Sequence, residues 1–402
     1  MRRVRIEEAA RPGAILARDV RLASGETAAR AGAALSERTA GVLRERGVGW
    51  CFIDDEAGRG LDVTPLDGEA AGVRAVVASL QARVAAVAQP LRQLSTPRIL
   101  HLLRETQPAA PLRHAPPFLV LREAAKDLAQ RAATVSPQGG YVVSRTAADD
   151  DAGHAVAVAA LTSRIAALVG LDAEAVTDAT MAALLHDAGM AFVPDAVRRK
   201  PERDRSAPEQ RRYEDHATLG AALLAPLAEG ALDLAIVAGE HHEAQDGTGF
   251  PGGIGGGNRV LRTADARRDA GRIALMSEVV AVADRYERLL SPAAGWPGCG
   301  AAEARLLLAR EAGTMLNREV VTRFLGSFPE LPVGTEVAVT VGAHAGAEGL
   351  VRVAAPPPGA RCVVRLLRDA EGRAVPPVEV PLPAASVAAV AGRAVVAGAV
   401  TR

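Results

Sequence analysis

The sequence predicts a mainly α protein, a helical bundle set between a small α/β module at the N-terminus and a small β-rich module at the C-terminus. Three observations carry that prediction. Apolar residues recur at three- and four-residue intervals through much of residues 69–325, the spacing of a buried helix face. Short valine-rich runs broken by Gly and Pro replace that pattern after Pro332. Five of the eight histidines fall between residues 154 and 242, among the predicted helices.

The elements follow in order. Residues 1–58 form the N-terminal module: short apolar pieces are broken at Gly13, Gly25 and Gly32, then ALSERTAGVLRERG reads as a helix and VGWCFID as a strand. Residues 59–140 read as a helical connector. Within it, residues 69–92 bring Val73, Val76, Val77, Leu80, Val84, Val87 and Leu91 onto one face. Such a face packs on a core or pairs with a second copy, so it permits a homodimer without requiring one. Residues 108–117 read as a loop and 118–132 as a further helix.

Residues 141–330 are expected to fold as one helical domain. DDAGHAVAVAALTSRIAALVG carries His154 near a helix start, and VTDATMAALLHDAG ends a helix with His186 and Asp187. SAPEQRRYEDHATLGAALL opens on a Ser206–Glu209 capping pattern and carries His216. ALDLAIVAGEHHEA supplies His241 and His242, and ALMSEVVAVADRYERLL contains Asp284. Residues 331–402 form the β-rich module, with TEVAVTV, GLVRVA, ARCVVRLL and VEVPL as strands of an antiparallel sheet. His344 falls in a turn there and reads as solvent-facing.

Composition bounds the function. The chain has 402 residues, room for two or three domains, and 49% of them are hydrophobic, enough for a core without disulfides. Aromatics are only 3%, so packing rests on Leu, Val and Ala. The formal net charge is zero, which gives no support for coating bulk nucleic acid, a role that needs a basic face, but leaves room for a small anion neutralised by metal ions. Cys51, Cys299 and Cys362 are far apart and form no C-x-x-C pair, which fits a reducing cytoplasm. The opening MRRVRIEEAARPG turns acidic before any long apolar stretch, unlike a signal peptide, and Arg393 interrupts the apolar tail from Pro381. No membrane span is expected.

The histidines point to metal chemistry. His154, His186-Asp187, His216, His241-His242 and Asp284 lie far apart in sequence but can converge in a bundle. Imidazole and carboxylate ligands from several helices suit a site with more than one divalent ion. A carboxylate within the apolar run AVAD would be costly unless paired, capped or bound to a metal. Asp187 is the best candidate to bridge two ions. Asp150, one turn before His154, is a further candidate ligand for a third ion or else a helix cap. The loop 247–257 holds seven glycines in eleven positions, and reads as a hinge or as a loop closing on phosphate. Arg259 and Arg262 follow it and could add positive charge.

Five segments together resemble the HD-GYP family of cyclic dinucleotide phosphodiesterases: LLHDAG at 184–189, VRRKP at 197–201, EDHATLG at 214–220, HHEAQDGTGFP at 241–251 and AVAD at 281–284. The resemblance covers about residues 145–330. It implies an HD-type bundle with His154, His186, Asp187, His216, His241, His242 and Asp284 as ligands of two or three divalent ions, iron or manganese. It implies catalytic roles for Asp187 and His186, and substrate contacts from the third motif at Asp246, Gly249, Phe250 and Pro251, with Lys200 as a nearby positive charge. The chain departs from the family at several positions. Phe250 stands where the family has tyrosine, Met190 where it usually has lysine, and SPAAGW from Ser291 where an arginine-proline-tyrosine element commonly follows. The connection from Pro251 to Asp284 is also longer than usual. Two substrate contacts that the resemblance implies are therefore not carried over to this chain.

The expected activity is hydrolysis of cyclic di-GMP to pGpG and then GMP by a metal-activated water. The choice of cyclic di-GMP comes from the resemblance alone. Rivals are an HD-type phosphohydrolase for another phosphoester, a cyclic-dinucleotide-binding module with weak turnover, and a structural scaffold without metal.

Overall fold

The computed structural model describes residues 1–390 except 12, 23–25, 69, 146, 148–149, 228–232, 261–271, 294 and 356–360. Arg262 and Arg393 lie outside the described residues. In the N-terminal module, β1 (Arg2–Arg5), β2 (Ile15–Leu16), β3 (Val20–Arg21) and β4 (Thr27–Ala29) precede α1 (Glu37–Glu45) and β5 (Trp50–Asp54). β5 pairs antiparallel with β1 and β2, while β3 and β4 form a hairpin. α1 starts where the Ser36 hydroxyl accepts the Thr39 amide, and Leu43 packs with Ile6, Leu16 and Ile53 in a core local to this module.

The helices follow as α2 (Ala71–Ala88), α3 (Thr96–Thr106), α4 (Pro116–Leu119), α5 (Leu121–Thr134), α6 (Asp151–Leu168) and α7 (Ala173–Leu185). Then come α8 (Asp195–Arg198), α9 (Ala207–Leu224), α10 (Asp233–Glu240), α11 (Leu275–Leu290), α12 (Ala301–Glu311) and α13 (Arg318–Gly326). α6 is apolar on nearly all sides and lies at the centre, with α2, α5, α7 and α11 against it. α9 opens with the expected Ser206–Glu209 capping box.

α2 buries Val73, Val77, Leu80 and Val84 in this core, so that part of the apolar face is taken up within the chain. The stretch Ala71–Leu91 is also long and apolar enough to cross a membrane by length and composition. α3 falls where the sequence reading assigned no element, and the expected loop at 108–117 contains a 3-10 turn at Ala110–His114. α3 begins at Ser95 with Pro97 in its first turn and buries Ile99 and Leu103.

The C-terminal strands are β6 (Glu336–Val339), β7 (Glu348–Val353), β8 (Arg361–Arg368), β9 (Ala374–Pro383) and β10 (Val387–Ala389). They form an antiparallel sheet in the order β10-β6-β7-β8-β9. Val337, Leu350 and Val364 join the same core as the helices. Arg365 ties the sheet to the segment after β5 by donating to the carbonyls of Ala57 and Arg59. His344 lies exposed in a turn, as expected, and the three cysteines are buried and unpaired.

Candidate metal centre

The two adjacent pairs, His186-Asp187 and His241-His242, sit at helix ends, where neighbouring residues can turn inward together. α7 ends at Leu185, so His186 is its C-cap and Asp187 begins the next turn. α10 ends at Glu240, one residue before His241. His154 lies in the first turn of α6, His216 in the middle of α9 and Asp284 in α11.

Close backbone approach brings α9 to this centre. A Cβ on Gly189 would collide with the His216 carbonyl oxygen and the Gly220 amide nitrogen. Only glycine lets the turn after Asp187 lie against α9 at His216.

Hydrogen bonds to the backbone fix three of the rings. Nδ1 donates to the Ala183 carbonyl at 2.7 Å in His186, to Tyr213 at 2.6 Å in His216 and to Val237 at 3.0 Å in His241. A ring that donates from Nδ1 in its neutral form presents the Nε2 lone pair inward. His154 is held differently, with Nδ1 donating to Glu287 Oε2 at 2.7 Å. Glu287 is fully buried and also accepts Arg145 Nε at 2.6 Å and the Ser291 hydroxyl at 2.6 Å.

Asp187 lies between the rings. Its Oδ1 is 3.4 Å from His216 Nε2 and 3.5 Å from His241 Nε2, and its Oδ2 is 3.5 Å from the Nε2 atoms of both His154 and His186. Asp187, His216, His241 and His242 can hold one ion, while His154, His186 and Asp187 form a second set. Asp284 Oδ1 stands 3.1 Å from His154 Nε2 and 3.7 Å from His186 Nε2, beside the second set. Asp187 Oδ1 and the Nε2 atoms of His186, His216, His241 and His242 are buried without a hydrogen-bond partner. Unpaired buried polar atoms are costly, and convergent imidazole and carboxylate atoms left bare fit a divalent ion.

The electrostatics agree with ligand chemistry. Burial pushes His216 down to about 4, so its ring stays neutral, and burial beside His241 and His216 holds His242 well below the usual range. Burial opposes ionisation of Asp187, but His186, His154, His241 and Arg288 outweigh it and keep the carboxyl far below its ordinary range. Burial likewise opposes ionisation of Asp284, which Arg288 and His154 overcome.

Other expected site residues are placed elsewhere. Asp150 caps α6 through the Gly153 amide at 2.8 Å and pairs with both Arg74 nitrogens at 2.5 and 2.7 Å, which is the helix-cap alternative. Lys200 is bound to Glu209 at 2.6 Å. Asp246 is exposed and turns its own loop by accepting the Thr248 amide and hydroxyl. Phe250 stacks on His242 with ring centroids 4.6 Å apart, and its amide donates to the His242 carbonyl. Gly249 lies against backbone, where a Cβ would collide with the Ala244 nitrogen and the His242 oxygen. Pro251 follows in an exposed position through a cis bond. Arg259 is exposed.

The glycine-rich loop spends its amides internally. Buried Glu243 accepts those of Gly252 and Ile254, while Gln245 accepts Asn258 with its side chain and Gly256 with its carbonyl. That is the structural alternative for this loop.

Gln245 also donates to Glu278 at 2.7 Å, and Asn317 donates to the same carboxylate at 2.9 Å. Burial pushes Glu278 up to about 7 against these donors, with Glu240 adding to the rise. The folded protein thus keeps a proton that the unfolded chain releases near the ordinary carboxylate value. Stability from this group is complete below about pH 4.3 and is lost as pH rises through the folded value. Glu278→Gln removes the titration. Between about pH 5 and about pH 8, denaturant melts should move in favour of the variant over wild type by up to about 3 kcal/mol. A pH-independent difference would show that Glu278 does not titrate in this window.

Sequence reasoning passed over Glu287, Arg288 and Arg198. Glu287 and Arg288 follow Asp284 by three and four residues, the spacing of a shared helix face. Arg288 Nε lies 2.8 Å from both Asp284 oxygens, and its Nη2 donates to Asp187 Oδ2 at 3.1 Å. Burial opposes the charge of Arg198, but Asp151, paired at 2.8 Å, then Asp195 and, least, Asp187 outweigh it.

A helical bundle that points buried imidazoles and carboxylates at one locus defines a metal-binding domain of the phosphohydrolase kind. The HD domain family model matches residues 122–320. The chain carries an HD domain of the HD-GYP type, with an N-terminal extension. Over 189 residues it is 31% identical to a cyclic di-GMP phosphodiesterase of Pseudomonas aeruginosa, covering 47% of this chain and 42% of the relative. Over 120 residues it is 38% identical to the 3'3'-cGAMP-specific phosphodiesterase 3 of Vibrio cholerae, covering 28% of this chain and 25% of the relative. The matches span less than half the length of either relative. A solved HDG"Y"P protein from Bdellovibrio bacteriovorus aligns with 80% of this chain and 97% of its own, at 15% identity and a TM-score of 0.38.

Proposed function

We propose that this protein is a metal-dependent phosphodiesterase that opens cyclic di-GMP to linear pGpG and then to GMP. The observation that carries the reading is the set of buried Nε2 atoms and Asp187 Oδ1 without hydrogen-bond partners, three of the rings being oriented by backbone carbonyls. The similarity to a cyclic di-GMP phosphodiesterase supports the substrate, and the similarity to a 3'3'-cGAMP-specific enzyme makes that nucleotide the competing one.

Asp187, His216, His241 and His242 would hold a divalent ion, iron or manganese, with His154, His186, Asp187 and Asp284 as the residues for a second. When bound, it supplies Lewis acidity that activates a water and offsets charge on the phosphoryl oxygens. The protein residues do the positioning. Glu287 orients His154, and Arg288 extends from α11 to Asp187 with 30% of its side chain exposed. That guanidinium stands beside Asp187, where it can meet a phosphate oxygen. Three unpaired cysteines and a nucleotide substrate fit a reducing cytoplasm.

The test is to purify the protein without oxygen, load it with iron or manganese, and offer cyclic di-GMP, 3'3'-cGAMP and a generic activated phosphodiester. Linear pGpG formed faster than the cGAMP product supports the reading. Metal-loaded protein that hydrolyses none of the three is a binding module instead. Met190→Lys should raise kcat/KM for cyclic di-GMP about tenfold or more, the worth of a charge-assisted hydrogen bond. An unchanged value would mean that the phosphate already has its cation.

A further inference from the structure

The atoms of the centre divide into two groups by what already partners them. Asp187 Oδ1 and the Nε2 atoms of His186, His216, His241 and His242 have no hydrogen-bond partner. Asp187 Oδ2, both Asp284 oxygens and His154 Nε2 all face one guanidinium. Arg288 Nε is 2.8 Å from each Asp284 oxygen, and Nη2 is 3.1 Å from Asp187 Oδ2 and 3.4 Å from His154 Nε2. The arginine reaches them because it lies one helical turn after Asp284.

We propose that Arg288 is a resident cation in place of a second metal, so that the centre holds a single ion on the Asp187, His216, His241 and His242 side. This rests on the metal-dependent reading of the site and restricts it. A guanidinium carries one positive charge, keeps its proton and presents a planar fork that suits carboxylate oxygens. It offsets the charge that Asp284 and Asp187 bring to this half. A second ion would have to displace Arg288 from both carboxylates. The arrangement also gives the single-ion centre a fixed positive group next to Asp187, where a phosphoryl oxygen would need one.

The experiment counts metal. Wild type, Arg288→Ala and Arg288→Met are loaded with excess manganese without oxygen, freed of loose ions by gel filtration, and measured by elemental analysis and electron paramagnetic resonance. The methionine variant keeps an apolar stem and removes the charge. Wild type should hold one ion per chain with the signal of an isolated ion. Both variants should hold two, with the signal of a spin-coupled pair. Two ions in wild type, or one ion in wild type and variants alike, overturns the role given to Arg288 while leaving the metal centre standing. No ion in any of the three overturns the metal reading itself, and this inference with it.

Discussion

Asp187→Ala is expected to lose metal and hydrolysis together, with turnover falling by more than about 100-fold. Removing even a hydrogen-bonding partner of a metal ligand typically costs 10–100-fold. Asp187 is more central than a partner. Its two oxygens face different rings, Oδ1 toward His216 and His241 and Oδ2 toward His154 and His186. Without it, buried imidazoles face one another with no shared anion, and Arg288 keeps only Asp284 among its carboxylates.

The same carboxylate is held ionised in the fold, so its loss also costs stability. The contribution is present above the ordinary carboxylate pKa and lost as pH falls through the lowered one. Asp187→Asn separates the two effects, because it keeps the shape and one acceptor oxygen while removing the anionic ligand. Elemental analysis and product separation check both variants, with circular dichroism confirming the fold. A variant that retained wild-type metal and turnover would remove Asp187 from the centre.

The convergence of the histidines with Asp187 was legible in the sequence because metal binding would be a requirement on residue type. His186-Asp187 and His241-His242 are unusual neighbours, and helix ends are where such neighbours can converge. The partners of the ligands were harder to read. Glu287 and Arg288 share a face with Asp284 by spacing, yet spacing does not say which charged residues on an apolar helix turn inward. Arg145 lies in a stretch without periodicity, so its pairing with Glu287 is a purely tertiary fact. The VRRKP segment illustrates the same limit. It contains three cations, and sequence order could not show that Lys200 goes to Glu209 while Arg198 goes to Asp151. The glycines of 247–257 were read as a hinge or a phosphate loop and Gly189 was given no role, whereas Gly189 and Gly249 are required by backbone packed against backbone. α3 escaped notice, although Ser95 and Pro97 mark its start.

Glu287→Ala should be the most damaging change outside the ligands themselves. The residue is fully buried and pairs with Arg145, which is itself 6% exposed. Removing one partner of a buried pair leaves an uncompensated charge, which costs about 3–5 kcal/mol. It also frees His154 Nδ1, whose ring lies 3.5 Å from Asp187 Oδ2, so the loss reaches the bound ion only through Asp187 and should lower metal affinity by about tenfold, the low end for a partner of a ligand. Burial opposes ionisation of Glu287, but Arg145, His154 and Ser291 bring its carboxyl down to about 2. Its contribution to stability is therefore full above about pH 4.3 and drains away as the pH falls toward that lowered value. Denaturant melts over the acid range should show wild type losing part of its advantage over Glu287→Ala as pH drops. Glu287→Gln keeps an acceptor for Arg145 or Ser291 and should recover part of the stability. It should recover less of the metal affinity, because an amide raises the basicity of His154 far less than a carboxylate does. A variant that lost stability but bound metal as wild type does would make Glu287 a purely structural counter-ion of Arg145. Equal losses in metal affinity for Ala and Gln, with unequal losses in stability, would identify the carboxylate charge as what tunes His154.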